Sequence, residues 1–243
     1  MKKYAIILAA GKGTRMDSSI PKCIYPFLGI PMIERIVNQL EKYHFDEIIV
    51  VVGYKQEEVK SILKNKVSYQ EQLNPLGTAD AVKCCYNFFK DKEGICLIIP
   101  ADIPLVDIDI INGIIINHIT NKNALTISTT IVNNNKGYGL VHRLKGNIDK
   151  IIEYKEANNY QRRIKEINCG IYCIDIKILF SHIFKIENNN TTKEYYLTDI
   201  VEILSKKYKV ESYNVIDSYK VTGVNDLKTL KELEYKVKQK DNN

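Results

Sequence analysis

Short apolar runs alternate with stretches of helical periodicity along the first half of the chain. Tyr4–Leu8 is a continuous apolar run that ends in Ala9-Ala10-Gly11, the pattern of a buried strand. Pro31 opens a stretch over Met32–Tyr43 with Met32, Ile33, Ile36, Val37 and Leu40 on one face. Proline suits the first turn of a helix, where its missing N–H has no intrahelical partner to lose. Glu47–Val52 predicts a second strand, Gln56–Leu63 a helix, Val67–Gln70 a third strand and Ala79–Phe89 a further helix. Ile95–Ile99 predicts a fourth strand, stopped by Pro100. Buried strands separated by helices predict an α/β fold with a mixed, mostly parallel sheet covered on both faces. In such sheets ligands gather at the carboxyl ends of the strands. The loops after Leu8 and Ile99 are therefore the places to search for chemistry.

After about residue 120 the rhythm changes. Ala124–Thr130, Gly139–Arg143, Ile148–Tyr154 and Ile167–Cys173 are strand-like with shorter connections, and helices are expected near Ile176–Phe184, Leu197–Lys206 and Asn225–Val237. No Pro- or Ser-rich linker separates the halves. The expectation is one domain over residues 1–235, with a first part of about 1–120 and a second of about 121–230 that adds an inserted small sheet. The charged stretch Lys236–Asn243 is expected to be a frayed tail.

Composition narrows the class. Of 243 residues, 45% are hydrophobic and 26% charged, which excludes a disordered, collagenous or coiled-coil chain. Apolar runs such as Ile48–Val52 fall far short of the roughly 20 residues that cross a bilayer, so no membrane association is expected. The start of the chain is too short in apolar residues for a secretory signal, and a soluble cytoplasmic protein is the expectation. Thirty-five basic against 29 acidic residues leave a net charge of +6. Those lysines are interspersed with acids rather than gathered into the stripe that a nucleic-acid partner demands; an anionic small molecule suits the balance better. Six cysteines and four histidines show neither CxxC nor HxxxH spacing, so reduced structural thiols are expected rather than a zinc site.

Leu8-Ala9-Ala10-Gly11-Lys12-Gly13-Thr14-Arg15-Met16, directly after the first strand, carries the strongest chemical signal. Glycines let backbone N–H groups approach an anion, and Lys12, Arg15 and nearby Lys22 add charge suited to phosphate. The spacing is not that of a Walker A loop, and Met16 stands where the third glycine of a dinucleotide fingerprint belongs. A tight turn with solvated lysines is the structural alternative.

Ala9–Met16 with Pro21-Lys22 resembles the signature of sugar-1-phosphate nucleotidyltransferases, in particular the uridylyltransferase domain of the bacterial bifunctional N-acetylglucosamine-1-phosphate enzymes. The resemblance runs from about Tyr4 to Leu230 through Gln72, Pro75–Ala79, Asp102–Leu105, Gly137–Gly139, Ile152–Ala157, Ile167–Ile171, Glu194–Asp199 and Gly223–Asn225, in order. It implies a Rossmann-like fold of the nucleotide-diphospho-sugar transferase type. It also implies an Mg²⁺-dependent reaction of UTP with a sugar 1-phosphate, most specifically N-acetylglucosamine 1-phosphate. Carried over residue by residue, it implies nucleotide binding by Leu8, Ala9, Ala10, Gly11, Gly13, Thr14, Gln72, Gly77 and Thr78. Arg15 and Lys22 become catalytic cations, Asp102 and Asn225 metal ligands, and Gly139, Glu153 and Asn168 the sugar pocket.

Each residue has a plainer reading beside this one. Asp102 could be a turn residue or helix cap, Asn225 a cap for the last helix, Gln72 an exposed polar residue and Glu153 a surface acid. Gly139 could be a turn glycine and Asn168 an edge-strand residue, while Tyr195-Tyr196 could approach the phosphate or form core. Pro100-Ala101 stands where the family commonly has glycine directly before the aspartate, and Cys169 replaces an expected threonine. Hexapeptide repeats are absent from these residues, so no acetyltransferase activity is expected of them. Open alternatives are the same chemistry with glucose 1-phosphate, another amino sugar 1-phosphate, or phosphocholine with CTP. A non-catalytic sugar-nucleotide-binding module is another, and an NAD(P)-dependent oxidoreductase is the weakest.

Overall fold

The computed structural model describes residues 1–13, 16 and 20–241. In chain order the strands and α-helices are β1 (Lys3–Leu8), β2 (Pro26–Phe27), β3 (Ile30–Pro31), α1 (Met32–Tyr43), β4 (Glu47–Val52), α2 (Gln56–Leu63), β5 (Ser68–Glu71), α3 (Thr78–Lys83), α4 (Tyr86–Phe89), β6 (Ile95–Pro100), α5 (Ile108–Thr120), β7 (Leu125–Ile131), β8 (Gly139–Leu144), β9 (Asn147–Glu153), β10 (Glu166–Asp175), α6 (Ile176–His182), α7 (Asp199–Ser205), β11 (Val210–Asn214) and α8 (Leu227–Asp241). The main sheet runs β11-β7-β10-β6-β1-β4-β5, and the β8–β9 hairpin branches from β10. Along this path β10 alone opposes its neighbours; the other pairs are parallel. The expected mixed, mostly parallel sheet is what forms. Second-half strands β7, β10 and β11 extend it, and the expected insertion is the β8–β9 hairpin.

Alternation explains how one sheet carries two cores, since successive side chains of a strand point to opposite faces. From β1, Ala5 and Ile7 face a core completed by Ile33, Ile36 and Leu40 of α1, Val59 of α2 and Ile111 and Ile114 of α5. Tyr4 and Ile6 face the other core, with Val82 of α3, Phe89 of α4, Leu179 of α6 and Val201 of α7. Cys169 and Cys173 lie on the same face, as alternation requires. All six thiols are free and five are buried, and burial pushes the Cys23 and Cys169 thiols up to about 12. Among the described residues no helix is long and apolar enough to cross a membrane.

Four features differ from the sequence expectation. The helix expected over Ala79–Phe89 breaks at Cys84-Cys85, and α4 restarts so that the Phe89 ring packs against Tyr4 and Phe180. An unread helix, α5, is capped by the Asp107 carboxylate, which accepts from Ile110 N at 3.0 Å. Polar β11 is a further unread strand, paired in parallel with β7. The expected frayed tail is instead helical to Asp241, because Leu230, Leu233 and Val237 pack against Phe27, Met32 and Val224.

Phe89→Ala would remove a side chain that is 1% exposed and touches three other aromatic rings. Truncating a buried phenylalanine costs about 3–5 kcal/mol, and urea unfolding is expected to show a loss of that order.

Candidate active site

The parallel register of β1 and β6 sets Leu8 opposite Pro100, and Ala101 N donates to Leu8 O at 3.1 Å. Both strands therefore end together, and the glycine loop emerges beside Asp102. A cleft of about 470 Å³ opens there. Eleven of the sequence-predicted site residues line it: Leu8, Ala9, Ala10, Gly11, Lys22, Gln72, Gly77, Thr78, Asp102, Glu153 and Asn168. Thr14 and Arg15 lie outside the described residues.

Two glycines of the loop differ in what they require. Gly13 has φ +63°, and a Cβ there would sit 2.3 Å from Lys22 Cβ, so the loop closes onto Lys22 only with glycine. A Cβ at Gly11 would meet nothing within 4 Å. Protein packing does not ask for glycine at that position, which lines the cleft.

Lys22, Asp102 and Asn225 form one cluster. The Lys22 ammonium bonds the Asp102 carboxylate and also donates to Asn225 Oδ1 at 3.1 Å. Carboxylate and amide oxygens thus converge on one point of positive charge, and hard oxygen donors of this kind suit Mg²⁺. At the start of α8 the Asp226 Oδ1 accepts from Thr229 N at 2.8 Å, a capping bond made by the residue next to Asn225. Gly223 flanks the pair, with its would-be Cβ 3.6 Å from Asp102 Oδ1. Among the described residues no group of three or more His, Cys, Asp or Glu side chains gathers at metal-binding spacing.

Gln72 is 6% exposed, not the surface residue that was its alternative. Its Nε2 donates to Gly77 O at 3.0 Å and to Asp80 Oδ2 at 2.8 Å. Gly77 has φ +118°, and a Cβ would lie 2.4 Å from Tyr195 O. That close approach reflects a stitch between two segments: Tyr195 N donates to Leu76 O, and Ala79 N to Tyr195 O. Thr78 Oγ1 accepts from Leu197 N at 2.9 Å. Tyr195 serves this backbone clamp with its ring under the Lys83 ammonium at 4.1 Å, while Tyr196 lines the cleft.

On the opposite wall, Glu153 Oε1 accepts from Thr198 Oγ1 at 2.9 Å. Burial pushes the Glu153 carboxyl up, against the hydrogen bond from Thr198. Asn168 donates to Tyr172 Oη at 2.7 Å and accepts from Gly170 N at 3.2 Å. Gly139 stands behind both, its would-be Cβ 3.5 Å from Glu153 Oε1 and 3.6 Å from Asn168 Cβ; it does not line the cleft. Sequence reasoning assigned no role to Thr198, Tyr172 or Asp80. A hydroxyl four positions beyond Asn168 on one strand was the available signal for Tyr172, because even spacing keeps both on one face. No local signal pairs Thr198 with Glu153, 45 residues apart.

Residues 4–226 match the Nucleotidyl transferase family, to which the chain belongs. The bifunctional protein GlmU of Acholeplasma laidlawii (strain PG-8A) is 41% identical over 235 residues, which is 96% of this chain and 51% of that protein. GlmU of Bacillus subtilis (strain 168) is 38% identical over 202 residues, 83% of this chain and 44% of that protein. The chain spans about half the length of the curated relatives it matches. Among solved structures, a UDP-glucose pyrophosphorylase complexed with UDP-glucose superimposes with TM-score 0.76 at 17% identity, covering 99% of this chain and 100% of that one. A putative glucose-1-phosphate thymidylyltransferase from Bacillus anthracis, in complex with a sucrose, gives TM-score 0.74 at 20% identity over 96% and 94% of the two chains. These likenesses carry the fold.

Burial, with Glu153 and Glu202 nearby, pushes the Asp199 carboxyl up to about 6. A carboxyl raised in the fold disfavours the folded state when ionised, so this group costs stability as pH rises through about 6 and is relieved below it. Asp199→Asn is therefore expected to raise Tm near pH 7.5 and to raise it less near pH 5. Equal shifts in paired thermal melts would contradict that sign.

Proposed function

We propose that the chain is a uridylyltransferase that joins UTP and N-acetylglucosamine 1-phosphate, releasing pyrophosphate and forming UDP-N-acetylglucosamine. The observation that carries this reading is the convergence of Lys22, Asp102 and Asn225 beside the glycine loop, where Lys22 and Asp102 line a cleft whose far wall bears Glu153 and Asn168. Family membership and the GlmU relatives support the same chemistry.

A phosphate oxygen of the sugar phosphate attacks the α-phosphorus of UTP; a P–O bond forms there and the α–β anhydride bond breaks. The second phosphate pKa of about 6 leaves the nucleophile largely dianionic at neutral pH, so no general base is needed. The difficulty is to bring two polyanions together, which calls for positioning and charge neutralisation. Gly11 and Gly13 let the loop backbone approach the triphosphate, and Lys22 and Arg15 neutralise phosphate charge. Gln72, Gly77 and Thr78 hold the base and ribose, while Glu153 and Asn168 orient the sugar with Gly139 behind them. Mg²⁺, held by Asp102 and Asn225, would supply Lewis-acid charge to the phosphoryl oxygens. The substrates are small anions, in keeping with the dispersed excess of positive charge. A cytoplasmic setting, where UTP is available, fits the free thiols.

The test is pyrophosphate release with Mg²⁺, crossing UTP, CTP, dTTP and GTP against sugar 1-phosphates and phosphocholine. Preference for UTP with N-acetylglucosamine 1-phosphate is the expected result; turnover with another pair moves the assignment to a different acceptor or base. Asp102→Ala is expected to lower kcat by about 10²–10³ with an unchanged melting curve, and near-wild-type rates in the folded variant would remove the metal assignment. Arg15→Ala is expected to lower kcat in the same assay.

A further inference from the structure

Gln72 lines the cleft, yet both hydrogen bonds of its side chain in the protein are made by the amide nitrogen. The two partners are the Gly77 carbonyl and the Asp80 carboxylate. A carbonyl accepts, and so does an ionised carboxylate, so the NH₂ group must point at them and the amide cannot be turned over. Its Oε1 makes no hydrogen bond to a described protein atom, so Gln72 offers a ligand an acceptor. Asp80 does not line the cleft. Among the described residues, the hydrogen-bond partner of its side chain is Gln72, and Lys83 lies within electrostatic reach.

We propose that Asp80 is a positioning residue for base selection: by holding the Gln72 amide with its oxygen toward the cleft, it makes the pocket demand a nucleobase whose pairing edge carries a ring N–H. This inference rests on the nucleotidyl-transfer reading above and deepens it. Uracil and thymine present an imide N–H between two carbonyls. Cytosine presents a bare ring nitrogen at that position, which would set lone pair against lone pair. A free glutamine amide could rotate and donate to cytosine instead. With the carboxylate in place, rotation would forfeit two hydrogen bonds, one of them charge-assisted, and leave two half-buried acceptors facing an oxygen.

The experiment measures equilibrium binding of UTP and CTP by calorimetry, and kcat/KM for each in pyrophosphate release, for wild type, Asp80→Ala and Asp80→Asn. Wild type is expected to prefer UTP. Asp80→Ala is expected to shrink the UTP-to-CTP ratio about tenfold, the scale of one hydrogen bond to a charged group. Asp80→Asn keeps an acceptor oxygen at the same reach and is expected to restore most of the preference. Asp80→Ser, which shortens that reach, replaces the alanine variant if the latter does not fold. A ratio unchanged in Asp80→Ala or Asp80→Ser, or lost equally in Asp80→Asn, overturns the proposal, as does a wild type indifferent between the two nucleotides. A merely structural role would weaken both nucleotides alike and leave the ratio where it was. Failure of wild type to bind or turn over any nucleotide would instead sink the transferase reading itself.

Discussion

The pairing of β1 with β6 is the constraint on which the rest of the molecule depends. Because Leu8 sits opposite Pro100, the two central strands stop at the same level, and the chain leaves the sheet on one side as Ala9–Gly13 and on the other as Ala101-Asp102. A one-residue slip would turn every side chain of β1 to the wrong core and separate the glycine loop from the carboxylate. Antiparallel β10 adds the third wall. It passes the end of β6 at Gly170, with φ +81° and its would-be Cβ 3.3 Å from Pro100, so Asn168 reaches the cleft on a strand of the opposite direction. Six parallel strands and one reversed strand thus place three chain segments, distant in sequence, around a single opening.

The segment Glu194–Thr198 then ties the two sides of that opening together. Its backbone clamps Leu76 and Ala79, its Leu197 N–H meets Thr78, and its Thr198 hydroxyl holds Glu153. Groups on the two walls of the cleft consequently share one piece of backbone. Glycine at position 77 is the condition for this arrangement, since any side chain would collide with the Tyr195 carbonyl. Polar side chains in the walls are fixed by hydrogen-bond partners: Gln72 by Asp80 and Gly77, Asn168 by Tyr172 and Gly170, Glu153 by Thr198. Such preorganisation lowers the entropy lost when a substrate is held.

Elements with clear periodicity were legible in the sequence almost to the residue. Met32–Tyr43, Glu47–Val52 and Gln56–Leu63 form where apolar spacing put them, because burial of one stripe or one run decides those segments locally. Helix α5 escaped because seven of its thirteen residues are isoleucine, a β-branched residue with strand preference, and its burial against the sheet overrides that propensity. Strand β11 escaped for the opposite reason: Val-Glu-Ser-Tyr-Asn has little apolar content, and pairing with β7 supplies its order. At the site, motif residues could be placed in order along the chain, but that Asp226 makes a capping bond to α8 could not be read. That depends on where α8 begins, and its start is fixed by packing of Leu230 and Leu233 under Phe27 and Met32.

By itself, then, the sequence determined the alternation of strands and helices, the two-sided burial of the sheet and the glycine-rich, basic character of the loop after Leu8. These follow from side-chain polarity and backbone freedom over a few neighbouring residues. Tertiary structure alone decided that Lys22 bridges Asp102 and Asn225, that Asp80 fixes the amide of Gln72, and that Thr198 reaches Glu153. Three of these contacts span 45 residues or more, and even the short Gln72–Asp80 pair needs the turn at Gly77 to bring it together. Hydrogen bonds demand atoms within about 3 Å in a set direction, and only the packed sheet and its returning segments supply that geometry.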